Sequence, residues 1–420
     1  MNYKYLKSNI EQGKNPIVKS IFRIKDDKLP NLFFYESQTY KKFNDAELTG
    51  FGVSYLEYEA INKAIGECIE RYSATVPNYR KLIYGSYESL RDYNKINIKN
   101  LNYFSDEQYD SINFPFIKLT ENIKLHWIQG FELNENIPTL IPAEYIYLNY
   151  SERNEKLPST HYSISTGLAC HTNKENAILS SIFEVIERDS YMMVWKRKIE
   201  VPHLDINSIE DTVIKRLLSE LYKKNIDVHL IDVSMEYNIP TILAIAFSNN
   251  KDMPPLSVDI ATSFSYKNAI VKALYGLSST VLWGLINLHR TMNISILNYH
   301  AIYYFNKEHH NNIRFLLNGP SVKYKNLNNI IKSNSTMKIL EEVNEILKNE
   351  GFNVYICDIT PRDVMQMGYY VIKSIIPNMV PLDIDVRYTY DGVKRIYQLP
   401  SKLKKYNYSE KINRDIHPFA

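Results

Sequence analysis

Two stretches of this 420-residue chain repeat one pattern of charge. The first reads Glu67-Cys68-Ile69-Glu70-Arg71, within AINKAIGECIERYS. The second reads Glu184-Val185-Ile186-Glu187-Arg188, within NAILSSIFEVIERDS. Side chains three or four residues apart share one face of a helix. Each stretch therefore presents two carboxylates and a guanidinium together. One such pattern is ordinarily a surface ion-pair ladder. Two copies, each bordering an apolar face, predict paired helices around one small volume. Four carboxylates stay ionised there only with a cation among them. Magnesium takes oxygen ligands and keeps phosphates in its shell, so the repeat predicts a magnesium–nucleotide site. Neither GxxxxGK[ST] nor GxGxxG occurs, which leaves carboxylate-held metal as the route to phosphate. Thr49-Gly50-Phe51-Gly52 and Ser165-Thr166-Gly167 precede the two helices, and glycine turns there would bring amides close to phosphate.

The elements that must position these groups follow from apolar period. Extended structure is expected at NPIVKSIFRI, and helix from Phe51 onward, with Ile61, Ala64, Ile65, Cys68 and Ile69 on one face and Glu67, Glu70 and Arg71 beside it. Strands are expected at LHWIQGFEL and TLIPAEYIYL, and the second acidic helix from about 174 to about 196. IDVHLIDVS and TILAIAFS read as strands joined at Asn238-Ile239-Pro240. A third helix spans roughly 265–292 and a fourth 337–349. FNVYICDIT and VIKSIIP complete the strands. Without βαβ units of fixed period, the class is α+β. Residues 1–44 read as an N-terminal extended segment and 45–420 as one catalytic domain, its tail at 400–420.

Net charge is +3, with 45% hydrophobic and 23% charged residues. No long-range field favours nucleic acid or a membrane surface. The 34 tyrosines match the Asn, Ile and Lys excess of an AT-rich genome. Cys68, Cys170 and Cys357 are scattered, without a CxxC pair, which disfavours a disulfide scaffold or structural zinc. No signal-peptide pattern and no run of about 18 apolar residues is read, so a cytoplasmic protein is expected. His309-His310 reads as solvated, His171 as a polar turn, Asp232 and Asp259 as structural strand ends. No nucleophile elbow is present.

The acidic helices in this order, GLACHTNKENAILSSIFEVIERDS, WIQGFELNENIPTLIPAEYIY, IDVHLIDVSMEYNIPTILAIAFS, NVYICDITPRDV and the HPFA ending carry a resemblance. Over about residues 45–420 the chain resembles the YcaO family. The resemblance implies a YcaO-like fold and an enzyme that uses ATP and Mg2+ to activate a peptide amide. It implies metal ligation by Glu67, Glu70, Glu184 and Glu187. Nucleotide contacts would add Lys63, Arg71, Ser180 and Arg188. The catalytic set would be the four glutamates, Arg188, and Pro418 and Ala420 from a tail that reaches the site. Lys63 stands where the family carries a serine. The expected reaction is cyclodehydration of Cys, Ser or Thr in a ribosomal precursor peptide to thiazoline or oxazoline. Expected partners are a leader-binding protein of ubiquitin-activating fold, the precursor, a dehydrogenase of the same pathway and a second copy in a homodimer. Thioamide or amidine formation, and a non-catalytic scaffold, are the alternatives.

Overall fold

The computed structural model describes residues 3–43, 46–153, 157–289, 296–403 and 406–419. Three sheets and the helices between them make up the architecture. Helix α1 (Tyr3–Glu11) leads into an antiparallel sheet of β1 (Val18–Ile24), β2 (Phe33–Phe43) and β3 (Ala46–Ser54). The expected boundary at residue 45 thus falls between two hydrogen-bonded strands. The helix expected from Phe51 begins later, as α2 (Glu57–Ala74), because Phe51 is still paired with Glu36 in β3.

Helix α2 buries Ala60, Ala64, Cys68 and Ile61, Ile65, Ile69, two rows at four-residue spacing. That stripe holds it against β3 by removing apolar surface from water. The approach is backbone to backbone. A Cβ on Gly50 would lie 2.3 Å from the Ala64 carbonyl oxygen, and one on Gly52 1.9 Å from that of Ala60. These glycines serve close helix–strand packing and not the phosphate turn expected of them.

The second sheet runs β4 (Ile83–Ser86), β5 (Lys124–Glu132), β13 (Tyr355–Asp358), β14 (Tyr370–Ile375) and β7 (Leu168–His171). Strand β6 (Ile137–Pro142) pairs with the other edge of β5. The third runs β11 (Leu256–Thr262), β10 (Thr241–Ser248), β9 (Ile226–Asp232), β8 (His203–Asp205) and β12 (Ser321–Lys323). Helix α3 (Lys174–Arg197) packs on β7, β14 and β11 and so joins the second and third sheets. Asn173 caps it, accepting the Asn176 N–H at 2.8 Å. Its C-terminal half is buried on nearly every side, which explains the run Asp189–Arg197 of fully covered residues.

Helix α4 (Thr212–Tyr222) covers the third sheet beside α5 (Tyr266–Asn287), which packs on β10 and β11. Three further helices are α6 (Ile296–Tyr303), α7 (Thr336–Asn349) and α8 (Arg395–Lys402). By length and composition α5 could cross a membrane. Half of its apolar stretch is buried within the protein. Three strands, β3, β7 and β11, each feed directly into a long helix: α2, α3 and α5 respectively. This repetition brings the charged residues together.

Candidate active site between two acidic helices

Helices α2 and α3 both rest on β7 and β14, so their acidic faces meet. On α2, Glu67 accepts the Phe51 N–H at 2.8 Å, and Arg71 stands 3.7 Å from its carboxylate. On α3, Arg188 lies 2.7 Å from Glu187 and 3.6 Å from Glu184. The second oxygen of Glu187 accepts the Thr262 N–H at 3.0 Å, which ties α3 to the end of β11. Gly167, with φ +85°, donates its N–H to Glu184. A Cβ there would lie 2.2 Å from the Ser374 carbonyl oxygen, so only glycine makes this turn. The second glycine approach thus delivers an amide to a site carboxylate.

The helices act on one another across the gap. Burial pushes the Glu70 carboxyl up to about 8; Glu184 and Glu67 add to this, while Arg71 and Lys373 oppose it. Burial raises Glu184 too, against Arg188, Arg71 and Lys373. Burial lifts Glu187 to about 7, with Arg188 opposing and Glu184 assisting. Yet the side chains stay accessible, at 36% for Glu67, 21% for Glu184 and 14% for Glu187. Partial solvent contact combined with strong desolvation describes the wall of a recess. With the arginines interposed, no three acidic, imidazole or thiol groups among the described residues stand as a ready-made metal cluster.

The other expected residues are placed unevenly. Ser180 is half-buried, one turn before Glu184. Lys63 is exposed at the seam of α2 and α5, where it donates to the Val53 carbonyl at 2.9 Å and lies 4.3 Å from the Tyr275 ring centre. Pro418 is buried in the tail. The tail does reach the site, but through Phe419, whose ring centre lies 4.4 Å from the Arg188 guanidinium carbon. Ala420 is outside the described residues.

Three further groups were not expected here. Asp259, on β11, faces Glu187 and Arg188; burial and Glu187 push its carboxyl well above the usual range. It sits in a notch: a Cβ on Gly276 of α5 would lie 1.7 Å from its carboxylate. Lys272 of α5 faces Glu187, which counters the lowering of its ammonium by the surrounding walls. Lys373 of β14 is 2% exposed and donates to the Ile164 and Thr166 carbonyls at 2.9 and 2.6 Å. Burial lowers it to about 8, while Glu184 and Glu70 hold it up. A lysine inside the apolar run VIKSIIP was the legible signal, since such residues are buried only with partners. The pairing of Gly276 with Asp259 left no signal, because it depends on how α5 folds back onto the strand before it.

A family model described as YcaO cyclodehydratase, ATP- and Mg2+-binding, matches residues 50–380. The chain belongs to the YcaO family. Solved structures share its fold at low identity. A heterocyclase in complex with substrate and cofactor superposes with a TM-score of 0.81 at 19% identity, over 99% of this chain and 57% of that one. YcaO from Methanopyrus kandleri, bound with AMPPCP and Mg2+, gives 0.67 at 16%, over 90% of each chain. The E. coli microcin synthetase McbBCD complex with pro-MccB17 bound gives 0.61 at 17%, over 95% and 96%. An uncharacterized protein of Methanothermobacter thermautotrophicus is 26% identical over 152 residues, 36% of this chain and 39% of that protein. This YcaO chain thus spans just over half of the heterocyclase, and its match covers well under half of the curated relative. The expected α+β, YcaO-like fold is the one observed.

Proposed function

We propose that this YcaO chain is the ATP- and Mg2+-dependent cyclodehydratase subunit that forms azoline rings in a ribosomal precursor peptide. One observation carries the reading. Glutamates and arginines from α2 and α3 share a single electrostatic neighbourhood, with Phe419 of the tail seated on Arg188.

The residues present suit the metal and the nucleotide. Glu67, Glu70, Glu184 and Glu187 would hold Mg2+, with Asp259 beside them. The raised carboxyls of Glu70, Glu184 and Glu187 belong to a donor set that a divalent cation relieves, and all donors are oxygen, as Mg2+ requires. When bound, Mg2+ neutralises phosphate oxygens and orients the phosphoryl group. Arg71 and Arg188 would stabilise charge on the transferring phosphoryl group. Lys63 and Lys272, accessible on the α2 and α5 walls, would meet the outer phosphates, and Ser180 would add a hydroxyl contact. Lys373, behind the carboxylates, favours the ionised forms of Glu70 and Glu184 and so partly offsets their burial.

In the reaction, a Cys, Ser or Thr side chain of the peptide adds to the preceding amide carbonyl. The adduct oxygen takes the γ-phosphoryl group of ATP. Phosphate then leaves with that oxygen as the C=N bond forms, and a proton is lost from nitrogen. Each ring costs one ATP and yields ADP and phosphate. A separate leader-binding partner of ubiquitin-activating fold would present the precursor, a dehydrogenase would oxidise azoline to azole, and a homodimer is the expected assembly.

The test mixes the chain, its leader-binding partner, ATP, Mg2+ and precursor. The expected product lacks one water per ring by mass. ATP-dependent exchange of oxygen for sulfur in place of water loss would transfer the assignment to thioamide formation. Absence of nucleotide binding would leave only the scaffold reading.

A further inference from the structure

The C-terminal segment is held in its place by a defined set of contacts. Its first part caps α3. The last carbonyls of the helix meet the tail: those of Trp195, Lys196 and Arg197 accept from the Asn413 side chain at 3.1 Å, Asn413 N–H at 2.8 Å and Ser409 N–H at 2.7 Å. Lys198 pairs with Asp415 at 2.9 Å, and the Trp195 indole N–H donates to the Asp415 carbonyl at 3.1 Å. The chain then turns back along α3 toward Arg188. The ring centres of His417 and Phe419 lie 5.7 and 5.4 Å from that of Tyr191.

The last residues are clamped from the far side by α6. His300 places its two ring nitrogens 3.2 Å from the His417 carbonyl and 3.1 Å from the Ile384 carbonyl. Tyr304, one turn on, donates its hydroxyl to the Ile416 carbonyl. His417 lies with its ring centre 4.1 Å from that of His300, and its Nε2 meets the Asp383 carbonyl at 2.9 Å. His300 is 1% and His417 2% exposed. Tail, α6 and the loop around Asp383 thus form one buried slot.

We propose that His300 and Tyr304 are positioning residues, a latch that seats residues 416–419 so that Phe419 lies on the Arg188 guanidinium. Without the latch, the Ile416 carbonyl loses the Tyr304 hydroxyl and one of the His417 and Ile384 carbonyls loses the single N–H of the His300 ring, and the tail exchanges its seat for water. The Phe419 ring lies over the guanidinium carbon while Glu184 and Glu187 pair with its nitrogens, so the seat helps fix where the guanidinium points. The dependence of turnover on the seat rests on the proposed reaction; the seat itself does not.

The experiment has two arms. In the first, the full chain is treated with carboxypeptidase, and release of Ala420 and Phe419 is timed by mass spectrometry. His300→Ala and Tyr304→Phe are expected to speed Phe419 release about tenfold. His300→Gln, which keeps one donor for the slot, restores most of the protection. Wild-type release rates in both His300→Ala and Tyr304→Phe overturn the latch. In the second arm, ATP turnover is measured with the partner and precursor. His300→Ala and Phe419→Ala should each lower kcat about tenfold, and the double variant should fall no further, since both act through one contact. Multiplying effects overturn the positioning role. Should the wild type not turn over ATP, the proposed reaction fails, while the first arm still decides the latch.

Discussion

Replacing Glu187 by glutamine should make the ligand-free protein more stable and the enzyme inactive. Glu187 is 14% exposed, and burial with Glu184 nearby raises its carboxyl from 4.5 to about 7. Above pH 7 its ionised form costs the fold about 3 kcal/mol relative to the unfolded chain. Glutamine removes that cost. That figure already includes the 2.7 Å contact with Arg188, whose charge opposes the rise. The Thr262 N–H keeps an acceptor, because the amide oxygen replaces the carboxylate oxygen. The gain is about 3 kcal/mol at pH 8, or roughly 3–4 °C in Tm for a chain of this size. Thermal melts in EDTA measure it. The same melts with Mg2+ and AMPPCP should show a large stabilisation of the wild type and little of the variant. A variant less stable than wild type in EDTA, yet still stabilised by nucleotide, would refute the electrostatic account of the site.

Further outcomes follow from the same charges. The folded protein holds protons on Glu70 and Glu187 that the unfolded chain releases near 4.5, since their carboxyls are raised to about 8 and about 7. Stability without ligand should therefore fall as pH rises from about 5 to about 8, and Mg2+ with nucleotide should flatten that slope; equilibrium urea unfolding across this range checks both. Gly276→Ala would place a Cβ 1.7 Å from the Asp259 carboxylate; a loss of about 1–3 kcal/mol is expected, with nucleotide affinity falling as Asp259 is displaced, read by calorimetry. Lys373→Met would strip the Ile164 and Thr166 carbonyls of their donor and leave Glu70 and Glu184 without their buried cation. The cost should be about 3 kcal/mol, and the pH at which nucleotide binding sets in should move upward.

Much of the fold was legible because it is written in local period. The alternation of IDVHLIDV, the continuous apolar run TILAIAFS and the helical spacing of α3 and α7 mark elements that the structure contains nearly to the residue. The start of α2 was misplaced because Gly50, Phe51 and Gly52 carry no apolar alternation, and strand pairing with β2 decides their state. The acidic quartet was legible because its spacing repeats. Asp259 and Lys272 were not, because β11 and α5 reach the site through the packing of the third sheet, and each residue is an isolated charge among apolar neighbours with no repeated spacing. The tail was expected at the site, but the contact with Arg188 falls to Phe419, a residue whose aromatic ring reads in sequence as ordinary core.

The central claim is that α2 and α3 jointly hold a magnesium–nucleotide. Crystals grown with Mn2+ in place of Mg2+ and with AMPPCP test it by anomalous diffraction. The account predicts a manganese peak between Glu67 or Glu70 on one side and Glu184 or Glu187 on the other, with phosphates facing Arg71 and Arg188. A well-occupied nucleotide bound elsewhere, with α2 and α3 free of metal at saturating Mn2+, would contradict it.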